Sequence, residues 1–170
     1  VSRLVITRGL PGSGKTTLAE KWRDAAPGRA RVSRGVLRDM LAGGGRWEAS
    51  RIAEATLSEA EDGIVSGLLA AGLDVIVDDT NLDPVHVVFF ELLADVSQAE
   101  FTVVDLTDVA PGLCLLRNAG RGEADLVPSG WISRAYSQHI EGQPHPLPYP
   151  FRFGGRQVTP AELLGEEPAA

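Results

Sequence analysis

Apolar residues fall along this chain in two recurring patterns, and the alternation of those patterns predicts the fold. Leu4-Val5-Ile6 is a short unbroken apolar run with β-branched members that ends at Gly9, as expected of a strand buried on both faces. A helical pattern follows from Lys15 to Ala25. Val75-Ile76-Val77, after Gly72, and Phe101 to Leu106 repeat the strand signature, with helical stretches near Ser50 to Ala71 and Pro84 to Ala94. Arg31-Val32-Ser33 is a weaker strand, followed by a short helix from about Gly35 to Leu41 and a break at Gly43-Gly44-Gly45. Strands that alternate with helices predict an α/β fold with a parallel sheet under helical cover. Gln143 to Pro150 carries four prolines, each fixing φ and removing a donor, so it reads as neither helix nor central strand. The expectation is one domain over residues 1–141 and an extended strap or tail over 142–170 that is not a separate domain, with part of the last twenty residues disordered.

Composition narrows the class. A chain of 170 residues that is 44% hydrophobic and 23% charged matches an ordinary globular domain. Its apolar stretches, such as Val85 to Phe90, are interrupted well short of the roughly 20 residues that cross a bilayer. The N-terminal residues lack the layout of a signal peptide, and Cys114 is the only cysteine, so no membrane, no disulfide partner and a cytoplasmic compartment are expected. The net charge of -7 argues against a general nucleic-acid coat, but its distribution is uneven. Residues 1–51 hold 11 basic and 4 acidic side chains, whereas residues 52–116 hold 13 acidic and no basic ones. Of the 16 basic residues 14 are Arg, whose planar fork suits phosphate.

A motif ties that positive third to a site. Gly9-Leu10-Pro11-Gly12-Ser13-Gly14-Lys15-Thr16 satisfies G-x-x-x-x-G-K-[ST], directly after a strand and before a helix. Glycines let backbone N–H groups close around a phosphate, and the helix N-terminus adds positive potential. Lys15 is expected to reach the β- and γ-phosphates and Thr16 to offer its hydroxyl to Mg²⁺, with Gly9, Pro11, Gly12, Ser13, Gly14 and Thr17 completing the nucleotide site. ATP or GTP with magnesium is the implied ligand.

Two further constellations stand near it in the predicted fold. Val75 to Val77 runs into Asp78-Asp79-Thr80-Asn81, so one of the two aspartates should face the crevice at the strand ends, while the same stretch also reads as a loop leading to a helix cap at Asp83-Pro84. Arg117 and Arg121 lie four apart at the end of a predicted helix; they read either as dipole compensation or as a lid that closes guanidinium groups on a transferring phosphate. Cys114 reads as a buried thiol, Trp22 and Trp131 as packing residues, and Trp47 as packing or a wall of an acceptor site. His86, His139 and His145 lack metal-ligand spacing.

Taken in order, the phosphate loop, Ser33-Arg34-Gly35-Val36-Leu37-Arg38, Asp79-Thr80-Asn81-Leu82 and the Arg117/Arg121 pair resemble the 5′-kinase domain of phage-type polynucleotide kinases over roughly residues 1–141. The resemblance implies a three-layer P-loop kinase fold with a helical lid. It also implies transfer of the γ-phosphate of ATP to a 5′-hydroxyl end of DNA or RNA. On that likeness Arg38, beside Arg34, holds an acceptor phosphate; Asp79, with Thr80, orients the acceptor hydroxyl or a water of the metal; and Arg117 and Arg121 grip the donor. One departure stands out. Where this chain has Ser33-Arg34-Gly35-Val36 the family carries Asn-Arg-Asp-Asp, whose first aspartate is the general base, and Gly35 has no side chain. The likeness therefore leaves three readings open: a slow polynucleotide kinase, a kinase of another hydroxyl such as a hydroxymethylated DNA base or a small metabolite, and a nucleotide-binding module that has lost catalysis. Asp39 and Asp79 are the carboxylates placed to take over as base. If neither does, an aspartate restored at position 35 should raise transfer.

Overall fold

The computed structural model describes residues 1–43 and 53–166; Gly44, Gly45 and Trp47 lie outside the described residues. The chain forms β1 (Arg3–Arg8), α1 (Lys15–Asp24), β2 (Arg29–Val32), α2 (Arg34–Ala42), α3 (Glu54–Ala70), β3 (Asp74–Val77), α4 (Pro84–Val96), β4 (Glu100–Asp105), α5 (Pro111–Ala119), a 3-10 turn (Glu123–Asp125), α6 (Ser129–His139), β5 (Arg156–Val158) and α7 (Pro160–Leu164). The strands make one sheet in the order β2-β3-β1-β4-β5, every pairing parallel. Ser33 caps α2 rather than extending β2, because its backbone is extended while its carbonyl already accepts from Leu37 N–H.

Side-chain parity along the strands builds the three layers. Leu4 and Ile6 of β1, Val75 and Val77 of β3, and Phe101 and Val103 of β4 point to one face, where Val65 and Leu69 of α3 and Val87, Phe90 and Ala94 of α4 cover them. Val5, Ile76 and Val104 point to the other, under Leu18, Ala19 and Trp22 of α1 and Leu163 and Leu164 of α7. Strands buried on both faces read as unbroken apolar runs, which is why β1 and β3 were legible. A third cluster lies beyond the sheet: Leu10 of the phosphate loop, Leu82, Cys114 of α5, Ile132 and Ala135 of α6, and Leu147. It anchors the helices that overhang the site to the loop itself.

Leu147 within the proline-rich segment is buried. Beyond it, β5 adds a fifth strand beside β4, and α7 carries a complete Thr159–Glu162 capping box. Two buried carboxylates hold this return path. Glu91 of α4 accepts from Tyr149 O–H (2.9 Å), Arg152 N–H (2.7 Å) and Phe153 N–H (2.9 Å), and Asp105 accepts from Leu147 N–H (3.0 Å) and the Gln157 amide (3.2 Å). Among the described residues no helix is long and apolar enough to cross a membrane.

Candidate active site

The loop after β1 takes a shape that only its glycines permit. Gly12 (φ 89°) and Gly14 (φ 101°) are left-handed, and a Cβ on Gly12 would collide with the Cys114 carbonyl. Gly14 is the N-cap of α1 and offers no side-chain cap, so the first N–H groups of that helix stay open to an anion. Among the described residues the buried Ser13 Oγ has no hydrogen-bond partner. A buried loop that leaves donors unmatched is shaped for phosphate oxygens. Lys15 crosses it, 7% exposed, its Nζ donating to the Leu10 carbonyl at 2.7 Å. Burial pushes its ammonium down to about 8, against the pull of Asp78 and Asp79.

Two cavities meet at this lysine. A pocket of about 560 Å³ runs over the loop, lined by Gly12 to Leu18, Lys21, Leu106, Arg117, Arg121 and Pro160. A cleft of about 880 Å³ opens on the other side, toward α2, α3, α4 and α6. Lys15, Thr16 and Arg121 line both. Arg117 also donates from Nη1 to the Gly12 carbonyl at 3.2 Å and, with Arg121, lines the pocket over the loop. Thr17 borders the smaller pocket and Pro11 the larger cleft. Gly9 borders neither; its N–H donates to the Thr80 carbonyl at 3.0 Å, tying the loop to the segment after β3.

The two aspartates after β3 divide their work. Asp78 accepts from Arg31 Nε (3.0 Å) and Nη2 (2.6 Å), which clasps β3 to β2. Asp79 faces the cleft, its Oδ2 accepting from Arg34 N–H at 3.1 Å and its carbonyl accepting from Thr7 Oγ1 at 2.9 Å. Burial and the neighbouring Glu61 carboxylate on α3 raise the Asp79 pKa well above the usual range, and burial raises that of Glu61. Asn81 follows in a left-handed conformation (φ 40°), its Nδ2 donating to the Thr7 carbonyl at 2.9 Å. Asp83 caps α4 through Val85 N–H at 2.9 Å, as its spacing before Pro84 predicted.

On the wall formed by α2, Gly35 lines the cleft with Arg34, Arg38 and Ser33, whereas Asp39 does not line it. Arg38 Nη2 pairs with both Glu54 carboxylate oxygens (2.8 and 3.0 Å). Arg34 donates to Ser58 and lies near Glu54 (3.8 Å) and Glu61 (3.6 Å). Thr80 lines the cleft too, and α6 closes it with Trp131, Arg134, Gln138 and His139. Trp131 also packs against the cluster around Leu10 and Leu147, and Cys114 is buried there. The sequence reading missed Glu54, Glu61, Arg31 and the α6 wall. Glu61 had a signal: Leu57, Glu61, Val65 and Leu69 form the buried stripe of α3, and a carboxylate inside an i, i+4 apolar stripe has to serve something.

A family model described as an AAA domain matches residues 4–140. No curated protein sequence matches the chain significantly. A chain of the Pnkp1/Rnl/Hen1 RNA repair complex aligns with a TM-score of 0.72 at 23% identity, over 89% of this chain and 49% of that one. The APS kinase CysC of Mycobacterium tuberculosis, in complex with AMPPNP and APS, aligns at 0.56 with 19% identity over 94% and 88% of the two chains. A gluconokinase from Sinorhizobium meliloti 1021 aligns at 0.55 with 14% identity over 96% and 87%. At these identities the likeness shows a common fold, that of the P-loop kinases. The chain spans about half the length of the RNA-repair chain.

Proposed function

This chain belongs to the AAA domain family, and from that premise we propose that it transfers the γ-phosphate of ATP to a hydroxyl of nucleic acid, a polynucleotide 5′-OH end. The observation that carries the reading is the meeting of the two cavities at Lys15, Thr16 and Arg121. A donor in the smaller pocket and an acceptor in the larger cleft would be in contact only there, as an in-line displacement requires.

The roles follow from position. The amides of Gly12 to Thr17 hold the donor phosphates, and Lys15 neutralises charge at the transferring group. Arg117 and Arg121 close over it, a lid whose base is the cluster around Cys114 and Leu10. Magnesium, when bound, shields the phosphate oxygens; the Thr16 hydroxyl at the junction fits an ion that needs few protein ligands. Arg34 and Arg38 receive an acceptor phosphate, Arg38 by exchanging the exposed Glu54 for it, and Thr80 and Asp79 orient the hydroxyl.

Labelled ATP tested on 5′-OH DNA and RNA oligonucleotides, hydroxymethylated duplex DNA and a metabolite panel decides the acceptor. Label on 5′ ends, lost in Lys15→Ala, is the expected result, and label on a metabolite alone overturns the nucleic-acid reading. A second reading, a small-molecule hydroxyl as acceptor, is favoured by one observation: Glu61, Asp79, Asp83 and Asp125 line the cleft and would repel a polyanion. Nucleotide binding with no transfer to any acceptor would instead mark a module that has lost catalysis.

A further inference from the structure

We propose that α6 is the wall that receives the acceptor strand, with Arg134 holding the phosphate that follows the 5′-terminal nucleoside and Gln138 beside it. The inference rests on the polynucleotide reading above and names the residue that tells a strand end from a free nucleoside or a sugar.

The sequence of α6 makes a two-faced helix. Ile132 and Ala135 are buried, and with Ile140 they join the cluster that contains Leu10 of the phosphate loop. Trp131, Arg134 and Gln138 follow one another at spacings of three and four, so they share a face, and all three line the cleft. The helix that presents Arg134 is thus packed on the loop that leads to Lys15, and packing sets the placement of one relative to the other. Arg134 and Gln138 are exposed, and among the described residues their side chains make no hydrogen bond or ion pair.

Charge divides the cleft. Glu61, Asp79 and Asp83 enter it from α3 and from the segment after β3, whereas α6 itself carries no acidic residue and Asp125 lies in the turn before it. The arginines of α2 are already engaged: Arg38 pairs with both Glu54 oxygens (2.8 and 3.0 Å), and Arg34 lies 3.6 Å from Glu61 and 3.8 Å from Glu54. A phosphate that approaches them has a carboxylate to displace; at Arg134 it meets an unpaired guanidinium fork. A polyanion is therefore drawn to α6 and away from the carboxylates, while its terminal hydroxyl, which carries no charge, can lie toward Asp79 and Lys15. A cleft of about 880 Å³ has room for a ligand of nucleotide size held in this way at both ends.

The test uses 5′-OH tetranucleotides of the sugar that the acceptor panel identifies, one natural and one with a neutral methylphosphonate at the first linkage, at saturating ATP. On the natural strand Arg134→Ala should raise the acceptor KM at least about tenfold, with kcat and the ATP KM within about twofold of wild type, because the contact is the same before and during transfer. Arg134→Lys, which keeps the charge and loses the fork, should fall between. The methylphosphonate should raise the wild-type KM by a similar factor and add less than about twofold in Arg134→Ala, since both changes remove one contact. Binding of the natural strand should also lose about 0.7 from its slope of log affinity against log salt in the Ala variant. An acceptor KM that Arg134→Ala leaves within about twofold, or a loss equal on natural and methylphosphonate strands, overturns this proposal and leaves the polynucleotide reading in place. Wild-type protein that labels no 5′ end overturns that reading and this proposal with it. Should the Arg134 variants fail to fold, the wild type decides: a methylphosphonate strand used as well as the natural one overturns the contact.

Discussion

Lys15 shows how one side chain can be costly to the fold and useful to the site. Its ammonium is buried, holds one carbonyl, and is pushed down to about 8 because desolvation outweighs Asp78 and Asp79. The free protein therefore carries that charge below about pH 8 and sheds it above, while a triphosphate needs it present. ATP affinity should be highest below pH 8 and weaken about tenfold by pH 9.5, a dependence absent in Lys15→Met. Titration calorimetry at the two pH values checks both. The same variant keeps the aliphatic stem and removes a desolvated charge, so its melting temperature without ligand should not fall, whereas its ATP-induced rise should vanish. Gly35 poses the complementary case. It sits one residue inside the first turn of α2 and lines the cleft, where an added aspartate is compatible with the helix dipole. Gly35→Asp should raise transfer at least about tenfold, the size of a newly supplied base; an unchanged rate would mean that a resident carboxylate such as Asp79 already serves.

At the scale of elements, the site depends on strand ends being held in register. β2 is a short edge strand whose pairing with β3 is locked by the Arg31–Asp78 contact, with side chains 10% and 2% exposed. Removing one partner of a buried ion pair leaves the other charge uncompensated at a cost of about 3–5 kcal/mol. Arg31 retains some solvent and also lies 3.5 Å from Glu20, so Arg31→Met should cost about 3 kcal/mol, the low end, read from denaturant midpoints at constant m-value. A loss below about 1 kcal/mol would mean that the strand pairing alone carries the register. Arg8 plays the equivalent part at the end of β1. Buried, and lowered in pKa by that burial, it donates to the carbonyls of Asn81, Leu82 and Leu147, joining the loop after β3 to the proline-rich segment.

On the scale of the molecule, the C-terminal return is a structural part of the fold. Ending the chain after Gly142 would remove Leu147 from the cluster around Leu10 and Cys114, β5 from the sheet edge, and the Tyr149, Arg152 and Phe153 donors from the Glu91 carboxylate. A buried leucine is worth about 1.5–3 kcal/mol and an unpartnered buried carboxylate at least as much, so the truncated chain should melt more than about 8 °C lower. A melting temperature within 2 °C of the full chain would show that residues 1–142 fold alone. The parts of this architecture that sequence determined are those whose cause is local. Gly12, Gly14, Lys15 and Thr16 announce an anion loop because left-handed backbone and a helix start are properties of adjacent residues. The runs Leu4–Ile6 and Val75–Val77 announce buried strands because burial on both faces erases alternation. Tertiary structure alone decided the rest. β5 is three residues, Arg-Gln-Val, with no pattern of its own, and it is a strand because β4 presents an open edge. Asp78 and Asp79 are adjacent and chemically identical in sequence, yet where the chain leaves β3 after Val77 one side chain meets the Arg31 guanidinium and the other the Arg34 N–H. Glu61 lines the cleft because α3 lays its buried stripe against the sheet, a placement fixed by packing and not by spacing along the chain.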